Sequence, residues 1–273
     1  MTRASTRRSI DLGDGDTTTL EQWGESGPAL LCVHGIGSSR KSWVRTAEAF
    51  GDSYRVFAYD QRGHGDSAAI GGPMTHAQSV RDLLAVARAI DGEVFALIGH
   101  SWGGTIVLAG GHDVACTHVV AIDPMIHYAG GQWAADFAAD LEPLFARPLS
   151  EREGVIREMF AGLPPVEIDA KVHALRHMSI EPVVALGTDN GADAGDWDLR
   201  ETVRAYPKPL LLLLADPSDS VVSAEDAAFV HENGGENLTL EVFAGEGHAL
   251  HRTAFERFAA SVRDFLQGPQ KSR

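Results

Sequence analysis

A serine flanked by glycines is the clearest candidate nucleophile in this sequence. Ser101 lies at the centre of Gly99-His100-Ser101-Trp102-Gly103, directly after an apolar run at 94–98. A strand that turns sharply into a helix leaves little room around a serine at the turn, and glycine neighbours provide it. The helix that follows, over about 102–111, would place its N-terminal N–H groups beside the hydroxyl, where charge develops during acyl transfer. The pattern predicts a nucleophile elbow with Ser101 at its tip.

His248 is the best candidate for the base that such a serine needs. It ends the loop segment Gly245-Glu246-Gly247-His248, after a predicted strand at 238–243. An imidazole in a loop at a strand end can take the proton of a nearby hydroxyl as it attacks a carbonyl.

The acid that would orient His248 has three candidates. Asp219 is preferred, because it lies three residues further from the predicted strand 209–215 than Asp216 and is followed by two valines. Asp216 is a close alternative, and Asp123, after the predicted strand 118–122, is a weaker one. The order Ser101, Asp219, His248 differs from the orders of the trypsin-like and subtilisin-like enzymes.

A second glycine-rich loop can supply part of an oxyanion hole. The segment His34-Gly35-Ile36-Gly37 follows a continuous apolar run at 29–33, which predicts a strand buried on both faces. Its Ile36 N–H and the Trp102 N–H are the expected donors to the oxyanion. His34 itself is interpreted as a packed, hydrogen-bonded histidine.

Metal binding is not expected. The polar turn at 60–67 is glycine-rich but lacks the lysine of a phosphate-binding loop, and one histidine with two aspartates is a poor ligand set. His173 and His177 are four residues apart, but the glutamate of HExxH is absent. The two cysteines, Cys32 and Cys116, lie in apolar segments and are expected to be buried free thiols.

Composition excludes several classes of partner. The 273 residues are 44% hydrophobic and carry a formal net charge of −15, with a calculated pI near 5.1. This charge opposes binding to nucleic acid, which needs a concentrated basic surface. Three arginines near the N-terminus are followed by no apolar segment, and the longest aliphatic run is too short to span a bilayer. We expect a cytoplasmic monomer or homodimer that acts on a small molecule without a cofactor.

Strands and helices alternate along most of the chain, which predicts a mostly parallel sheet with right-handed crossovers. Between 125 and 206 amphipathic helices replace the strand pattern, at 133–141, 151–160 and 172–180, with a Ser150/Glu153 capping box before the second. We expect a core domain formed by 1–124 and 207–273, and a helical cap formed by 125–206. Open α/β sheets bind ligands beyond the carboxyl ends of their strands, so the cap would cover the site.

These motifs resemble those of the α/β-hydrolase superfamily, in its capped serine esterase and non-haem peroxidase-like branch. The resemblance covers nearly the whole chain and rests on HGIG at 34–37, DQRGHGDS at 60–67, GHSWGG at 99–104, DPSDSVV at 216–222 and GEGH at 245–248. It implies an α/β fold with a mostly parallel eight-stranded sheet, flanked by helices, and a helical cap inserted after strand 6. It also implies Ser101 as nucleophile, His248 as base, Asp219 as acid, and Ile36 and Trp102 as oxyanion donors.

Two features of the sequence bear on that resemblance. Haloalkane dehalogenases and epoxide hydrolases carry aspartate at the elbow, so Ser101 argues against both activities. Ala215 stands where a glycine often precedes the acid loop, which keeps Asp216 and Asp123 open as alternatives to Asp219.

The expected function is hydrolysis of a carboxylic ester, or a related acyl bond, of a small, mainly apolar and neutral molecule through an acyl-enzyme. The same machinery can serve lactone or carbon-carbon bond hydrolysis, acyl transfer or perhydrolysis, and the same fold can serve a non-catalytic ligand-binding protein. The residues expected to line the pocket are His100, Trp133, Phe137, Phe160 and His177.

Overall fold

The apolar strand segments pair in one eight-stranded sheet. A computed structural model describes residues 3–13, 15–68, 70, 72–128, 133–190 and 197–268, without the side chains of 133 and 134. The strands are β1 (Ser5–Asp11), β2 (Thr17–Trp23), β3 (Ala29–Val33), β4 (Arg55–Tyr59), β5 (Val94–His100), β6 (His118–Ile122), β7 (His127–Tyr128), β8 (Trp197–Asp198), β9 (Leu210–Leu214) and β10 (Leu238–Val242).

The predicted mostly parallel sheet is confirmed. Its order is β1-β2-β4-β3-β5-β6-β9-β10, and β7 pairs with β8 in a separate antiparallel ribbon. Within the eight-stranded sheet, strands β4, β3, β5, β6, β9 and β10 are parallel to one another, whereas the β1–β2 and β2–β4 pairs are antiparallel. Strand β5, which precedes Ser101, therefore lies near the centre, between β3 and β6.

Helices cover both faces of the sheet because alternate strand residues are apolar on both sides. They are α1 (Val44–Phe50), α2 (His76–Arg88), α3 (Trp102–Gly110), α4 (Trp133–Phe145), α5 (Leu149–Met159), α6 (Pro165–Leu175), α7 (Glu181–Asp189), α8 (Arg200–Arg204), α9 (Ala224–Asn233), α10 (Leu250–Thr253) and α11 (Phe255–Gln267). On β9, Leu210 and Leu212 pack towards α2, α3, α8 and α9, whereas Leu211 and Leu213 pack towards α1 and α11. None of these helices is long and apolar enough to cross a membrane within the residues described.

Helices α4 to α7, here called the helical insertion, lie between β7 and β8 and share a separate apolar cluster. Two predictions about it are wrong. The helix expected at 172–180 is α6, which begins at Pro165 and ends at Leu175, because a proline suits the first turn of a helix and starts it there. Ser150 lies inside α5 and caps nothing, since Pro148 precedes that helix.

Two other helices begin with a side-chain cap. The hydroxyl of Thr75 accepts a hydrogen bond from the Gln78 N–H at the start of α2, and Ser223 does the same for Asp226 in α9. The two cysteines are buried free thiols, as expected.

A cluster of charged side chains, most of them buried, links β2, the loop after β3 and the turn after β4. The guanidinium of Arg40 is fully buried; its Nε donates to Glu21 at 2.8 Å, and its two Nη atoms pair with Asp60 and Asp66. Burial alone would raise the pKa of Glu21, but hydrogen bonds from Lys41, Ser5 and Arg40 lower it to about 2. These charges are stable inside the protein only because each has a partner.

Removing Arg40 should therefore destabilise the fold strongly. Arg40→Met leaves the Asp60 carboxylate buried without its main partner, and we expect it to lower the free energy of unfolding by about 3–5 kcal/mol. Urea unfolding followed by circular dichroism measures this loss. Arg204→Met is the control, since its ion pair with Glu201 is exposed and the midpoint should not move. Equal midpoints for the two variants would contradict the role of the cluster.

Candidate active site

Ser101 occupies a strained turn between β5 and α3. Its backbone has φ 56° and ψ −123°, in the left-handed half of conformational space, and its N–H donates to the Ile122 carbonyl at 2.9 Å. The turn is crowded: a Cβ added to Gly103 would lie 2.2 Å from the Val33 carbonyl oxygen, and one added to Gly35 would lie 2.8 Å from the Ser101 Cβ. The glycines of both motifs are thus required by close packing around one serine.

His248 pairs with Asp123. The distance from His248 Nδ1 to Asp123 Oδ2 is 2.6 Å, and the carboxylate is completely buried whereas the imidazole is partly exposed. Asp123 directly follows β6, the neighbour of the nucleophile strand, and it also has a positive φ, of 42°. Since a carboxylate can only accept, Nδ1 carries the proton and Nε2 is left as the basic nitrogen.

Three further donors fix the Asp123 carboxylate. They are the Ala215 N–H at 3.0 Å, the Ser220 hydroxyl at 2.6 Å and the Val221 N–H at 3.0 Å. Burial alone would raise the pKa of Asp123, but the hydrogen bonds from His248, Ser220 and Ala215 outweigh it and hold the pKa below its ordinary value. The carboxylate is therefore ionised and immobile.

The imidazole of His248 does not contact Asp219, which the sequence favours as its partner. Asp219 is exposed, and among the described residues its Oδ2 accepts a hydrogen bond from the backbone N–H of His248 alone, at 3.3 Å. Asp216 accepts from the Gly245 N–H at 2.8 Å and from Ser218, and so ties two loops together. The physical reason is the direction of the loop after β9, which turns Ser220 and Val221 towards Asp123 and leaves Asp219 outside.

The turn after β4 holds the loop that contains Ile36. The His64 Nε2 accepts from the Gly37 N–H at 3.2 Å, and the His34 Nε2 accepts from the Gln61 N–H at 3.0 Å. Both histidines are buried, and burial lowers the pKa of each, so both are neutral. The structure thus places His34 as a packed, hydrogen-bonded residue that supports the loop.

A cavity of about 430 Å³ opens onto Ser101 and His248. Of the residues predicted to line it, His100 and Phe137 do so, whereas Phe160 borders a neighbouring cavity and His177 is exposed. The side chain of Trp133 lies outside the described residues. Further lining residues, which were not predicted from the sequence, are Ser38, Asp140, Lys171, Val221, Ala249 and Arg252.

His100 supports the backbone of residues 245–248, here called the histidine loop. Its side chain is buried, its Nε2 donates to the His248 carbonyl oxygen at 2.9 Å, and the two rings lie 4.6 Å apart. Burial keeps the pKa of His100 well below its ordinary value, so the ring is neutral. The backbone of His248 is therefore held by His100 while its side chain is held by Asp123.

One group of residues has the spacing of metal ligands. Oxygen and nitrogen atoms of Asp60, Asp66 and His173 lie within 4.8 Å of one another. The Arg40 guanidinium pairs with both carboxylates and lies 3.1 Å from the His173 Nε2. A protein cation thus already occupies the position that a metal ion would take.

The chain is similar in sequence and in fold to known proteins. A model of the alpha/beta hydrolase family matches residues 30–261. The magnesium-chelatase 30 kDa subunit of Rhodobacter capsulatus is 28% identical, over 97% of this chain and 95% of that protein. An E-2-(acetamidomethylene)succinate hydrolase structure aligns with a TM-score of 0.74 and 21% identity, over 97% of this chain and 100% of that one. An esterase from Exiguobacterium antarcticum aligns with a TM-score of 0.73 and 20% identity, over 96% and 100%.

The close packing at the elbow gives a stability test. Gly103→Ala places a methyl group against the Val33 and His34 carbonyl oxygens, and we expect it to lower the free energy of unfolding by about 3 kcal/mol. Gly154→Ala is the control: this exposed helical glycine has no atom within 4 Å of an added Cβ, so the change should stabilise by about 0.5–1 kcal/mol. Thermal unfolding of both variants measures the difference, and a neutral Gly103→Ala would disprove the crowding argument.

Proposed function

Because the chain belongs to the alpha/beta hydrolase family, we propose that it is a serine hydrolase that cleaves a carboxylic ester or related acyl bond of a small, mainly apolar molecule. The observation that carries the proposal is the hydrogen bond of 2.6 Å between His248 and a buried carboxylate, at a cavity that also exposes Ser101. An imidazole oriented by a buried acid, at the same cavity as a serine on a strained turn, is the arrangement that activates a hydroxyl for attack.

In this mechanism His248 Nε2 removes the proton of Ser101 as the hydroxyl oxygen attacks the substrate carbonyl. Asp123 orients the ring and stabilises the imidazolium that forms. The proton then passes to the leaving group, which departs and leaves an acyl-serine. Water, activated by the same imidazole, releases the acid and restores Ser101.

The oxyanion would bind to the N–H groups of Ile36 and Trp102. Two observations support this pair, because the neighbouring N–H groups are already committed: that of Gly37 to His64 and that of Ser101 to the Ile122 carbonyl. Ile36 also lines the cavity, and Trp102 is the first residue of α3, whose N-terminal end favours negative charge.

The helical insertion would act as the cap that selects the substrate. Phe137 of α4 and Lys171 of α6 reach the cavity wall, together with residues outside the helical insertion.

Carboxylic ester hydrolysis, class EC 3.1.1, is the activity to test first. Lactone or carbon-carbon bond hydrolysis, acyl transfer and perhydrolysis would use the same serine and histidine.

A non-catalytic protein that binds a small ligand in this cavity is the second candidate. It is favoured by one observation, since the relative aligned over 97% of this chain is named as a subunit of magnesium chelatase. The two candidates differ in whether Ser101 is reactive.

Reactivity of Ser101 is the direct test. A fluorophosphonate probe should label the wild-type protein at Ser101, identified by peptide mass spectrometry, and Ser101→Ala should not be labelled. The same variant should lose short-chain p-nitrophenyl ester hydrolysis by at least about 10⁴-fold, with an unchanged unfolding midpoint. An unlabelled wild-type protein would favour the second candidate.

The identity of the acid gives a separate prediction. Asp123→Asn should lower kcat by about 10³–10⁴-fold, because an amide cannot hold the required tautomer or stabilise the imidazolium. Asp219→Asn serves as the matched control and should leave kcat nearly unchanged, because Asp219 accepts from the backbone N–H of His248 and not from its imidazole in the part of the chain that is described. Steady-state kinetics of the two variants with one ester decides between them, and a crippled Asp219→Asn beside an active Asp123→Asn would reverse the assignment.

A further inference from the structure

Two cationic side chains line the cavity that contains Ser101. Lys171 comes from α6 of the helical insertion, and Arg252 comes from α10, directly after the histidine loop. Arg252 is 95% buried, since only 5% of its surface is exposed. Lys171 is half-buried. A buried arginine beside a half-buried lysine needs an explanation, because a charge is costly to remove from water.

Arg252 has an unused donor. Its Nη2 donates to the Ser38 hydroxyl at 2.9 Å, and its Nε lies 3.4 Å from His251 Nε2 and 3.6 Å from Glu167 Oε2. Its Nη1 is buried and has no hydrogen-bond partner among the residues described. A guanidinium with one edge fixed by the protein and another edge unsatisfied is suited to bind a carboxylate oxygen.

Lys171 also lacks a fixed anion. Its Nζ lies 4.9 Å from the centre of the Phe160 ring, and within the described residues it forms no ion pair. Burial and the nearby charge of Arg252 lower the pKa of Lys171 to about 7. A negative ligand between the two cations would remove their repulsion and favour the charged lysine.

The carboxylates nearby leave one positive charge uncompensated. Glu167 is buried beside Arg252 and offsets one of the two cations. Asp140 lines the same cavity, but it is exposed on α4, where water screens its charge. Arg45, near Glu167, has its own partner in Glu256 at 3.9 Å. A ligand with a single negative charge would therefore balance the cluster.

The position of Lys171 and Arg252 relative to Ser101 suits the binding of a charged group of the substrate. Lys171, Ala249 and Arg252 border both the Ser101 cavity and a second cavity of about 440 Å³, lined by Met159, Phe160 and Leu163. An anion held there would lie at the junction of two mostly apolar spaces. One of these spaces extends to Ser101, so the reactive carbonyl would belong to the same molecule.

We propose that Arg252 and Lys171 form a carboxylate-binding subsite, and that the substrate is a small acyl compound with a free carboxylate besides the bond that is cleaved. The inference rests on the proposed hydrolase function and specifies its substrate class. It replaces the neutral substrate expected from the sequence with a monoanionic one.

A matched pair of esters tests the subsite. p-Nitrophenyl hydrogen glutarate carries a free carboxylate, and p-nitrophenyl methyl glutarate is its neutral counterpart. The wild-type protein should favour the anionic ester by about tenfold or more in kcat/KM, mainly through KM, as expected for charge-assisted hydrogen bonds to one carboxylate. Lys171→Met should reduce this ratio about tenfold, and comparing ratios cancels any general loss of activity.

Arg176→Met is the control, because it removes the same charge near the end of α6 from a residue that does not line the cavity. Its ratio should equal that of the wild-type protein. Equal kcat/KM values for the two esters in the wild-type protein, or an unchanged ratio in Lys171→Met, would overturn the subsite and leave the hydrolase proposal intact.

Binding provides a readout that does not require turnover. Ser101→Ala should bind glutarate measurably by calorimetry and should bind neutral glutaramide at least about tenfold more weakly. Adding Lys171→Met should remove the difference. If neither ester is cleaved and the fluorophosphonate probe labels nothing, the proposed function fails, and the glutarate measurement then decides the subsite alone. Equal binding of glutarate and glutaramide would disprove the subsite.

Discussion

One buried carboxylate holds together the segments that meet at the carboxyl edge of the sheet. Asp123 follows β6 and accepts hydrogen bonds from the end of β9, from the loop after it and from the histidine loop after β10. The donors at 215–221 and at His248 are about 90 and 125 residues further along the chain than Asp123. An unpaired charge at this depth would be strongly unfavourable, so all four donors must be present together. The same requirement that keeps Asp123 ionised also fixes the position of His248 beside Ser101.

Most of the sheet follows from the sequence because its strands are local patterns. Runs such as 29–33 and 210–214 are apolar at every position, which only a strand buried on both faces explains, and glycines mark the elbow. The carboxylate that contacts His248 was harder to predict. Asp219 and Asp123 both follow strands, and the choice depends on which way the loop after β9 turns, which is a tertiary property. A signal was present: Asp123 directly follows β6, which is the neighbour of β5, the strand that leads to Ser101.

The helical insertion was predicted less accurately for a related reason. Its helices pack on one another and on the rest of the protein through surfaces that are part apolar and part polar, so the hydrophobic periodicity of their sequences is weak. Prolines determine where these helices begin, as Pro165 does for α6. The proximity of Lys171 and Arg252 could not be predicted from the sequence either. They are 81 residues apart, and only docking of the helical insertion on the sheet domain places them in one cavity wall. Spacing along the chain carries no information about such a pair.

The β7–β8 ribbon has a consequence for how this protein can diversify. His127 pairs with Asp198 and Tyr128 with Trp197, so the chain enters and leaves the helical insertion side by side. The β7–β8 pairing, which forms a narrow stem, holds the two ends of the helical insertion at a fixed separation. The insertion can therefore be lengthened, shortened or exchanged for another sequence without disturbing the register of β6 and β9. Under the proposed role of the helical insertion as a cap, recombination at this stem would change the substrate while Ser101, His248 and Asp123 keep their positions.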